Sequence, residues 1–377
     1  MATILLLHNR YRAAGGEERA VGDLAALLRR RGHEVEVLER SSQGLGRAAA
    51  ARGLLAGGLD PDEVADVVRR RGARVVHAHN IHPLFGWRAL AAARAAGART
   101  VLHLHNYRLF CAIGVAYRDG ASCFRCRRGH TLPGLRLRCR GSLSEAAVYA
   151  TALYRQQPRL LEHVDQFVSV SDALASRLRD LGLPASLTAT LPNFVPDDQL
   201  ARSSRAEAGE FALVAGRLTE EKGFDTAIAA ARAAGTPLVV AGAGPDESRL
   251  RSLAAGADVR FTGRLAPEAL SALRARAAVV LAPSRWEEPC PYSVLEAMAA
   301  GVPVLAADRG GLPELVGEDA VLPASDQAAW SNAVSELWQD PPLRAARGEQ
   351  ALVRARAQFS EAGYYDRLSQ LYGAVSP

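Results

Sequence analysis

Short apolar runs alternate along this chain with longer segments in which apolar residues recur every three or four positions. The runs at 4–7, 75–78 and 100–104 are largely apolar on both faces, which is typical of strands buried in a parallel sheet. The segments between them have the helical period, and we place helices at 17–31, 48–68 and 84–96. This alternation of strand and helix predicts a doubly wound α/β sheet.

A second alternating series begins with the apolar run at 211–215. Pro192, Pro196 and the polar run 197–210 separate it from the first series and indicate a linker. A chain of 377 residues is also longer than one typical core. The sequence therefore predicts α/β architecture with two Rossmann-like domains and a final helix, in the ranges 1–195, 196–358 and 359–377.

Composition excludes several classes of protein. Apolar residues make up 49% and charged residues 23% of the chain, as in a soluble globular protein. The net charge is +6, but the basic residues are dispersed, so we expect no nucleic-acid partner. The first residues lack the pattern of a secretory signal, and no apolar run reaches about 18 residues. We expect a cytoplasmic protein, with peripheral contact at the inner membrane face left open and no prediction of oligomeric state.

The stretch from 283 to 311 has the pattern of a binding loop. Glu288 and Glu296 lie eight positions apart, and Pro289 and Pro291 between them exclude one continuous helix. Glu288 is therefore predicted on a loop and Glu296 in the first turns of the following helix. A loop directed at a helix N-terminus is suited to bind an anion, since free backbone N–H groups lie there.

A second motif, GRLTEEKG, places two cations around a turn that follows a predicted strand. Arg217 and Lys222 are five positions apart, between Gly216 and Gly223. Two cations beside a helix N-terminus can neutralise and orient a diphosphate. The chain has no GxxxxGK[ST] motif, so ATP hydrolysis is not supported.

Together these motifs resemble those of retaining glycosyltransferases of the GT-B fold, family 4, over essentially the whole chain. The resemblance implies two domains facing across a cleft, with the last helix packed back on the first domain. It implies transfer of a hexose from a UDP-, GDP- or dTDP-sugar to a hydroxyl of a glycan, a lipid-linked acceptor or a small natural product. It also implies no catalytic metal, and the chain has no DxD motif.

The resemblance also assigns roles to residues. Arg217 and Lys222 would bind the donor pyrophosphate, Glu296 the ribose and Glu288 the donor sugar, with His105 near that sugar from the first domain. Glu288 and His105 are the predicted catalytic residues. Further donor-binding positions are Gly15, Gly16, Gly263, Arg264, Cys290, Pro291, Tyr292 and Ser293. The acceptor-side positions are Asn9, Tyr11, Asn106 and Arg108. Many relatives have Gly-Phe-Gly after the first glutamate, where this chain has Pro289–Tyr292, so the sugar stays open.

Four cysteines fall within residues 111–139, an insertion that carries few core residues. Cys111, Cys123, Cys126 and Cys139 have the spacing C-x11-C-x2-C-x12-C, which suits one tetrahedral zinc ion. A metal would supply stability that burial alone does not. Free or redox-active thiols are the alternative, and a reducing cytoplasm disfavours disulfides. A subset of the family has a similar cysteine-rich insertion.

Other interpretations stay open. His77, His79 and His82 follow a strand closely, and we favour packing over metal binding there because no acid or cysteine lies beside them. For the whole chain, the alternatives to a transferase are a sugar-nucleotide epimerase or hydrolase, a non-catalytic glycan- or nucleotide-binding protein, and a zinc-stabilised nucleic-acid binder. Conversion of a donor without acceptor would favour the epimerase or hydrolase. Salt-dependent binding to RNA or DNA would favour the zinc-stabilised nucleic-acid binder.

Overall fold

A computed structural model describes residues 2–11 and 15–373 of the chain. It divides into two compact units. Unit 1 contains residues up to Ala116, Cys123–Pro192 and the chain from Tyr364 onward. Unit 2 contains Asn193–Gly363 together with the short segment Tyr117–Ser122. The domain boundaries predicted at 195/196 and 358/359 stay predictions.

Unit 1 is built on a six-stranded parallel sheet with the strand order β2-β1-β3-β4-β7-β8. The strands are β1 (Thr3–Arg10), β2 (Glu34–Ser41), β3 (Val75–Ala78), β4 (Arg99–Leu104), β7 (Gln166–Ser169) and β8 (Thr188–Thr190). The central strands are buried, as their apolar runs predict.

The helices of unit 1 connect these strands, as βαβ topology requires. They are α1 (Gly16–Arg30), α2 (Arg47–Ala56), α3 (Pro61–Arg71), α4 (Gly86–Ala95), α5 (Leu132–Arg136), α6 (Leu143–His163) and α7 (Asp172–Leu181). Between β4 and α5, the strands β5 (Tyr117–Arg118) and β6 (Ala121–Ser122) form a hairpin that groups with unit 2. The last helix, α15 (Glu361–Tyr372), crosses the division between the units.

The single helix predicted over 48–68 is wrong, because two helices occupy this range. Helix α2 ends before Gly57, and α3 begins at Pro61. Gly58 has φ +112°, and a Cβ atom there would lie 1.7 Å from the carbonyl oxygen of Phe85. A tight turn against the loop before α4 therefore interrupts the helix, and only glycine fits it.

Unit 2 repeats the architecture with a second six-stranded parallel sheet, in the order β11-β10-β9-β12-β13-β14. The strands are β9 (Phe211–Ala215), β10 (Leu238–Ala241), β11 (Val259–Gly263), β12 (Ala277–Ala282), β13 (Val304–Ala307) and β14 (Val321–Leu322). The helices are α8 (Phe224–Ala233), α9 (Glu247–Leu253), α10 (Pro267–Arg274), α11 (Tyr292–Ala299), α12 (Leu312–Val316), α13 (Gln327–Gln339) and α14 (Pro341–Gln358).

Each sheet has one topological switch point, where successive connections leave in opposite directions. In unit 1 it lies between β1 and β3, and in unit 2 between β9 and β12. Ligands of open α/β sheets bind at the carboxyl ends of the strands beside such a point. None of the helices in the described ranges is both long and apolar enough to cross a bilayer.

Candidate active site

The motifs predicted to bind a donor meet at the switch point of unit 2. The GRLTEEKG turn follows β9, and the loop 283–291 follows the adjacent strand β12. Lys222 lies in the GRLTEEKG turn, and Glu288 lies in the loop 283–291. The sheet topology thus brings together two segments that are more than 60 residues apart in sequence.

The buried carboxylate of Glu288 forms an ion pair with the half-buried Lys222. The Lys222 ammonium donates to both carboxylate oxygens of Glu288, with Nζ–Oε1 2.8 Å and Nζ–Oε2 2.7 Å. The Ser284 hydroxyl and the Trp286 indole N–H each donate to Oε2 at 2.8 Å. The two side chains are only 18% and 7% exposed. Charge-assisted bonds of this kind fix the carboxylate in one orientation.

Gly223 allows this approach of the two loops. It has φ +67°, and a Cβ atom there would lie 2.0 Å from the carbonyl oxygen of Pro283. Gly223 is also the N-cap residue of α8. The positive end of a ten-residue helix therefore lies directly after Lys222.

Arg217, in contrast, extends into solvent. Its side chain is 66% exposed, and its nearest acidic partner is Glu221 with Nη2–Oε1 3.9 Å. Glu221 also accepts a hydrogen bond from the Thr219 hydroxyl at 2.7 Å. Of the two cations in the turn, Arg217 is the one whose guanidinium a ligand can reach without displacing a close ion pair.

Glu296 lies in the second turn of α11, as predicted, and has a partner that the sequence did not reveal. Arg274, at the end of α10, donates through Nη2 to Oε2 of Glu296. The Arg274 side chain is 7% exposed and that of Glu296 12%. Nothing in the sequence pattern marks Arg274, since the pairing depends on how α10 and α11 flank β12.

The segment from Cys290 to Ser293 leads into α11. Pro291 is the N-cap residue, and Tyr292 and Ser293 are the first helical residues, all half-buried. Cys290 is buried, and burial raises the pKa of its thiol to about 12. The Asn193 amide donates to its backbone carbonyl at 3.0 Å. Cys290 can therefore serve a ligand by its backbone but not as a thiolate.

Gly263 and Arg264 lie at the end of the outermost strand, β11. The Gly263 carbonyl accepts a hydrogen bond from the Gly242 amide at 2.9 Å. The Arg264 side chain is exposed. Both residues thus lie at the carboxyl edge of the sheet, two strands away from Lys222.

In unit 1, Asn9 and Asn80 bridge the switch point between β1 and β3. The backbone N–H of Asn9 donates to the backbone carbonyl of Asn80 at 2.7 Å. The side-chain amide of Asn80 donates to the backbone carbonyl of Asn9 at 2.6 Å. The Asn9 side chain donates to Ser42 Oγ at 2.8 Å and accepts from the Leu84 amide. It is fully buried. Asn9 was predicted on the acceptor side. Its side chain links the end of β1 to the segments that contain Ser42 and Leu84.

A polar network surrounds Glu17, whose carboxyl is buried next to Tyr11, Asn106 and Arg108. The Asn106 amide donates to Oε1 of Glu17, and Asn106 Oδ1 accepts from the Arg108 backbone amide at 2.8 Å. The Arg108 guanidinium lies 5.2 Å from the centre of the Tyr11 ring. Burial raises the pKa of Glu17, and burial with the adjacent Glu17 raises that of Tyr11. The sequence identified Tyr11, Asn106 and Arg108 but not Glu17 itself.

The Gly15–Gly16 pair forms the start of α1. The Gly15 amide donates to Oε2 of Glu18 at 2.7 Å, and the Tyr11 amide donates to Oε1 at 3.0 Å. Burial alone would raise the pKa of Glu18, but the nearby His8 ring, with Nε2 3.8 Å from Oε1, and the hydrogen bonds from these amides lower it to about 2. The Gly15 amide is thus engaged inside the protein, so the predicted donor contact at this residue would have to use other atoms.

His105 belongs to a set of four stacked imidazoles: His77, His79, His103 and His105. Its Nε2 is 3.0 Å from Nδ1 of His79. Burial lowers the pKa of all four rings, that of His103 to about 3, so they are neutral at pH 7. His82, which the sequence grouped with His77 and His79, is not part of this stack.

A small cavity of about 30 Å³ opens between the stack and the Glu17 network. Tyr11, Glu17, His79, His105 and Arg108 contribute to its wall. A larger concavity of about 490 Å³ lies at the opposite edge of the sheet, near the starts of β3 and β4. The small cavity is the one at the carboxyl ends of the strands, where ligands of open α/β sheets bind.

The four cysteines of the insertion are half-buried, and none forms a disulfide. Burial and the neighbouring thiols raise the pKa of Cys126 to about 11. In the described part of the chain, one group of three or more potential metal ligands converges, and it consists of His77, His79 and His103 rather than these cysteines. The zinc site at the cysteines stays a prediction.

Two families of known proteins match the chain. Residues 14–199 match the family described as Glycosyltransferase Family 4, and residues 197–354 match the family described as Glycosyl transferases group 1.

Curated relatives are similar over parts of their length. An exopolysaccharide phosphotransferase of Streptomyces coelicolor is 34% identical over 200 residues, or 50% of this chain and 21% of that protein. A GDP-mannose-dependent alpha-(1-6)-phosphatidylinositol monomannoside mannosyltransferase of Mycobacterium tuberculosis is 33% identical over 229 residues, or 53% of this chain and 60% of that protein. The chain thus spans less than two thirds of either relative.

Among solved structures, Anabaena HepE in complex with UDP and glucose is similar to this chain. The superposition covers 100% of both chains, with a TM-score of 0.67 and 18% sequence identity. Likeness at this identity shows the fold. Together with the two parallel sheets, it confirms the predicted fold class: two Rossmann-like α/β domains of the GT-B type.

Proposed function

We propose that this chain, which is built from a glycosyltransferase family 4 domain and a glycosyl transferases group 1 domain, transfers a sugar from a nucleoside-diphosphate sugar to a hydroxyl group. The observation that carries the proposal is the buried Lys222–Glu288 pair at the switch point of unit 2. Anabaena HepE, which shares the fold, was solved with UDP and glucose.

The donor diphosphate would bind across the turn after β9. Arg217 offers an exposed guanidinium, and the N-terminus of α8 adds the positive end of a helix. Lys222 adds a second cation whose position Glu288 fixes. Breaking the glycosyl–phosphate bond leaves negative charge on the diphosphate, so preorganised cations lower the barrier. This charge stabilisation needs no metal ion, and we propose metal-independent chemistry.

Glu296 and Glu288 would bind hydroxyl groups of the donor. Arg274 holds one oxygen of Glu296, which keeps the carboxylate in place to accept hydrogen bonds from the ribose. Glu288 has three donors around its two oxygens, so it would bind the sugar through a lone pair that these bonds leave over. Backbone groups from Cys290 to Ser293 and at Gly263 would complete the donor contacts.

Unit 1 would supply the acceptor side. Tyr11, Glu17, Asn106 and Arg108 present hydroxyl, carboxyl, amide and guanidinium groups around one small cavity. Such a mixture can both donate to and accept from one hydroxyl group of an acceptor, which is what a cavity of about 30 Å³ can hold. His105, in the same cavity wall, would contact the donor sugar. The acceptor is a glycan, a lipid-linked sugar or a natural product, and a lipid-linked acceptor would bring the protein to the cytoplasmic membrane face.

We propose that the reaction retains the configuration of the anomeric carbon. The donor phosphate would take the proton of the acceptor hydroxyl as the glycosyl–phosphate bond breaks, and the new glycosidic bond forms on the same face. Bond breaking and proton transfer then balance without an enzyme nucleophile. NMR coupling constants of the product report the anomeric configuration, and an inverted product would refute retention.

Incubation with UDP-, GDP- and dTDP-sugars, with and without a panel of hydroxylated acceptors, tests the proposal. We expect release of nucleoside diphosphate that depends on the acceptor and on one class of donor. Equal conversion of the donor without acceptor would instead support an epimerase or hydrolase. No conversion with any donor, from a folded protein that binds nucleoside diphosphates, would support a binding protein.

A further inference from the structure

The four imidazoles of His77, His79, His103 and His105 form a stack on one face of the sheet of unit 1. The register of β3 and β4 pairs His77 with Val101 and Ala78 with Leu102, which places His79 beside His103. Ring centres of neighbouring imidazoles are 4.5–5.3 Å apart. The two strands therefore place four nitrogen-bearing rings in one array.

Three of these histidines carry buried nitrogens that lack a hydrogen-bond partner among the described residues. The atoms are Nε2 of His77, Nε2 of His79, and both ring nitrogens of His103, although the Leu191 backbone also lies near the His103 ring. All three side chains are buried, with exposures of 0, 4 and 2%. Burying a polar group without a partner costs free energy, and native proteins rarely leave such groups in clusters. A ligand with affinity for several nitrogens would remove this cost.

The geometry points to a metal ion: we propose that His77, His79 and His103 bind one zinc ion. Their ligand atoms all lie within 4.8 Å of one another. Three such points fit inside a circle with a radius of about 2.8 Å, which is 4.8 Å divided by √3. Zinc–nitrogen bonds are about 2.0–2.1 Å long. By distance, each ligand atom would therefore move by less than about 1 Å. The rings are now nearly parallel, with interplanar angles of 13–31°, so they would also rotate to direct their lone pairs at one ion.

One ring nitrogen of each of two proposed ligands already has a hydrogen-bond partner. His77 Nδ1 is 2.7 Å from the hydroxyl of Tyr372, and His79 Nδ1 is 3.0 Å from Nε2 of His105. Hydrogen bonds of this kind orient a metal-binding imidazole and fix its tautomer. In both rings the bonded nitrogen is Nδ1 and the nitrogen left over is Nε2. Nε2 is therefore the atom that would face the ion.

The donor set selects the class of metal. Three imidazoles suit zinc, copper or nickel, whereas magnesium and calcium require oxygen ligands. The cavity of about 30 Å³ beside His79, His103 and His105 has room for one water molecule as a fourth ligand. The ion would join β3 and β4 directly, and α15 through the hydrogen bond between Tyr372 and His77. This cavity is also the one assigned above to the acceptor, but metal binding can be measured without any donor or acceptor.

Metal binding by the four cysteines must be separated from this site in any test. The first experiment therefore uses the full chain with Cys111, Cys123, Cys126 and Cys139 all changed to serine. Cobalt(II) and zinc serve as the probes, added to protein stripped by a chelator. We expect one cobalt ion per chain without thiolate charge-transfer absorption, displacement by zinc, and a higher melting temperature with either ion.

Substitutions then identify the ligands. His79→Gln and His103→Gln should weaken binding by more than about 100-fold, and Tyr372→Phe by about 10- to 100-fold, because it removes only an orienting bond. His163→Gln is the matched control, since His163 stacks on Trp87 away from the cluster. Equal binding by His79→Gln and by the control would overturn the assignment, as would a folded parent that binds no metal.

The four-serine protein itself has to fold for this test. If it does not, zinc-edge X-ray absorption on the unmodified protein replaces it. A shell of nitrogen neighbours, alone or together with a separate sulfur shell at a second zinc, supports the site. A shell made of sulfur alone, or protein without bound zinc after zinc addition, refutes it.

Discussion

Lys222 donates to both carboxylate oxygens of Glu288, although the two residues are 66 positions apart in the chain. Ser284 and Trp286 add two further hydrogen bonds to the same carboxylate. The sequence suggested separate roles for the two residues: Lys222 would bind the diphosphate and Glu288 the donor sugar. The structure joins them, so a change in either residue should disturb the position of the other.

Removing Lys222 alone should destabilise unit 2. Lys222→Ala leaves the Glu288 carboxylate buried without its cation, and breaking a buried pair in this way costs about 3–5 kcal/mol. The double variant Lys222→Met, Glu288→Gln keeps similar side-chain volumes and removes both charges. We expect it to recover most of the lost stability but none of the transferase activity. Urea unfolding and donor turnover measure the two effects separately, and a double variant as unstable as Lys222→Ala would contradict the pairing.

Arg274 should control nucleotide binding through Glu296. Arg274→Lys keeps the positive charge but loses the planar guanidinium that positions the carboxylate. We expect the Kd for the preferred nucleoside diphosphate to rise about tenfold by calorimetry, with little change in the melting temperature. Arg251→Lys is the control, because Arg251 pairs with Glu247 on the exposed surface of α9. Equal Kd values for the two variants would show that Arg274 does not position Glu296 for binding.

Acid should destabilise unit 1 partly through His82. Burial lowers the pKa of His82 from 6.5 to about 4. His82 therefore binds a proton more tightly in the unfolded chain than in the folded one. The free energy of unfolding includes the full contribution of neutral His82 above pH 6.5, and this contribution is lost as the pH falls toward 4. One pKa unit corresponds to about 1.4 kcal/mol, so the loss can reach about 3 kcal/mol.

The test compares wild type with His82→Gln between pH 7.5 and 4.5. We expect the melting temperature of wild type to fall further over this range than that of the variant, with His163→Gln behaving as wild type. Glu18 affects stability only at lower pH. Its pKa is lowered from 4.5 to about 2, so its contribution to the free energy of unfolding is lost as the pH falls below 4.5. Identical pH profiles for wild type and His82→Gln would exclude His82 as a cause.

The cysteine site can be tested by following zinc release. If the four cysteines bind zinc, titration with a mercurial reagent should release about one zinc ion per chain in step with modification of four thiols. Free thiols would instead react with no zinc released, and burial that raises the pKa of Cys126 to about 11 would make that thiol slow to alkylate. Cys126→Ser should abolish the release, whereas Cys290→Ser, outside the insertion, should leave it unchanged.

Periodicity predicted the two sheets because each buried strand is apolar on both faces. The predicted runs at 4–7 and 211–215 lie within β1 and β9. It failed at 48–68, where an Ala-rich helical pattern continues on both sides of Gly57 and Gly58. Those glycines are required by contact with the loop before α4, a tertiary constraint that composition does not show.

Residues of the candidate site could be proposed from the sequence where one short motif contains them, but not where distant segments meet. Arg217, Lys222, Glu288 and Glu296 follow from local motifs. Arg274 and the imidazole stack depend on helix placement and strand register, which a single sequence does not specify. The preference for packing over metal at His77 and His79 rested on the lack of a neighbouring acid or cysteine. It overlooked His103 on the adjacent strand.

The most direct test of the account is calorimetric titration of UDP, GDP and dTDP into wild type and into the Lys222→Met, Glu288→Gln variant. We expect that at least one nucleoside diphosphate binds wild type, and that the folded variant binds it at least tenfold more weakly. Equal affinity in the two proteins would contradict a donor site at the Lys222–Glu288 pair. So would a wild-type protein that binds none of the three.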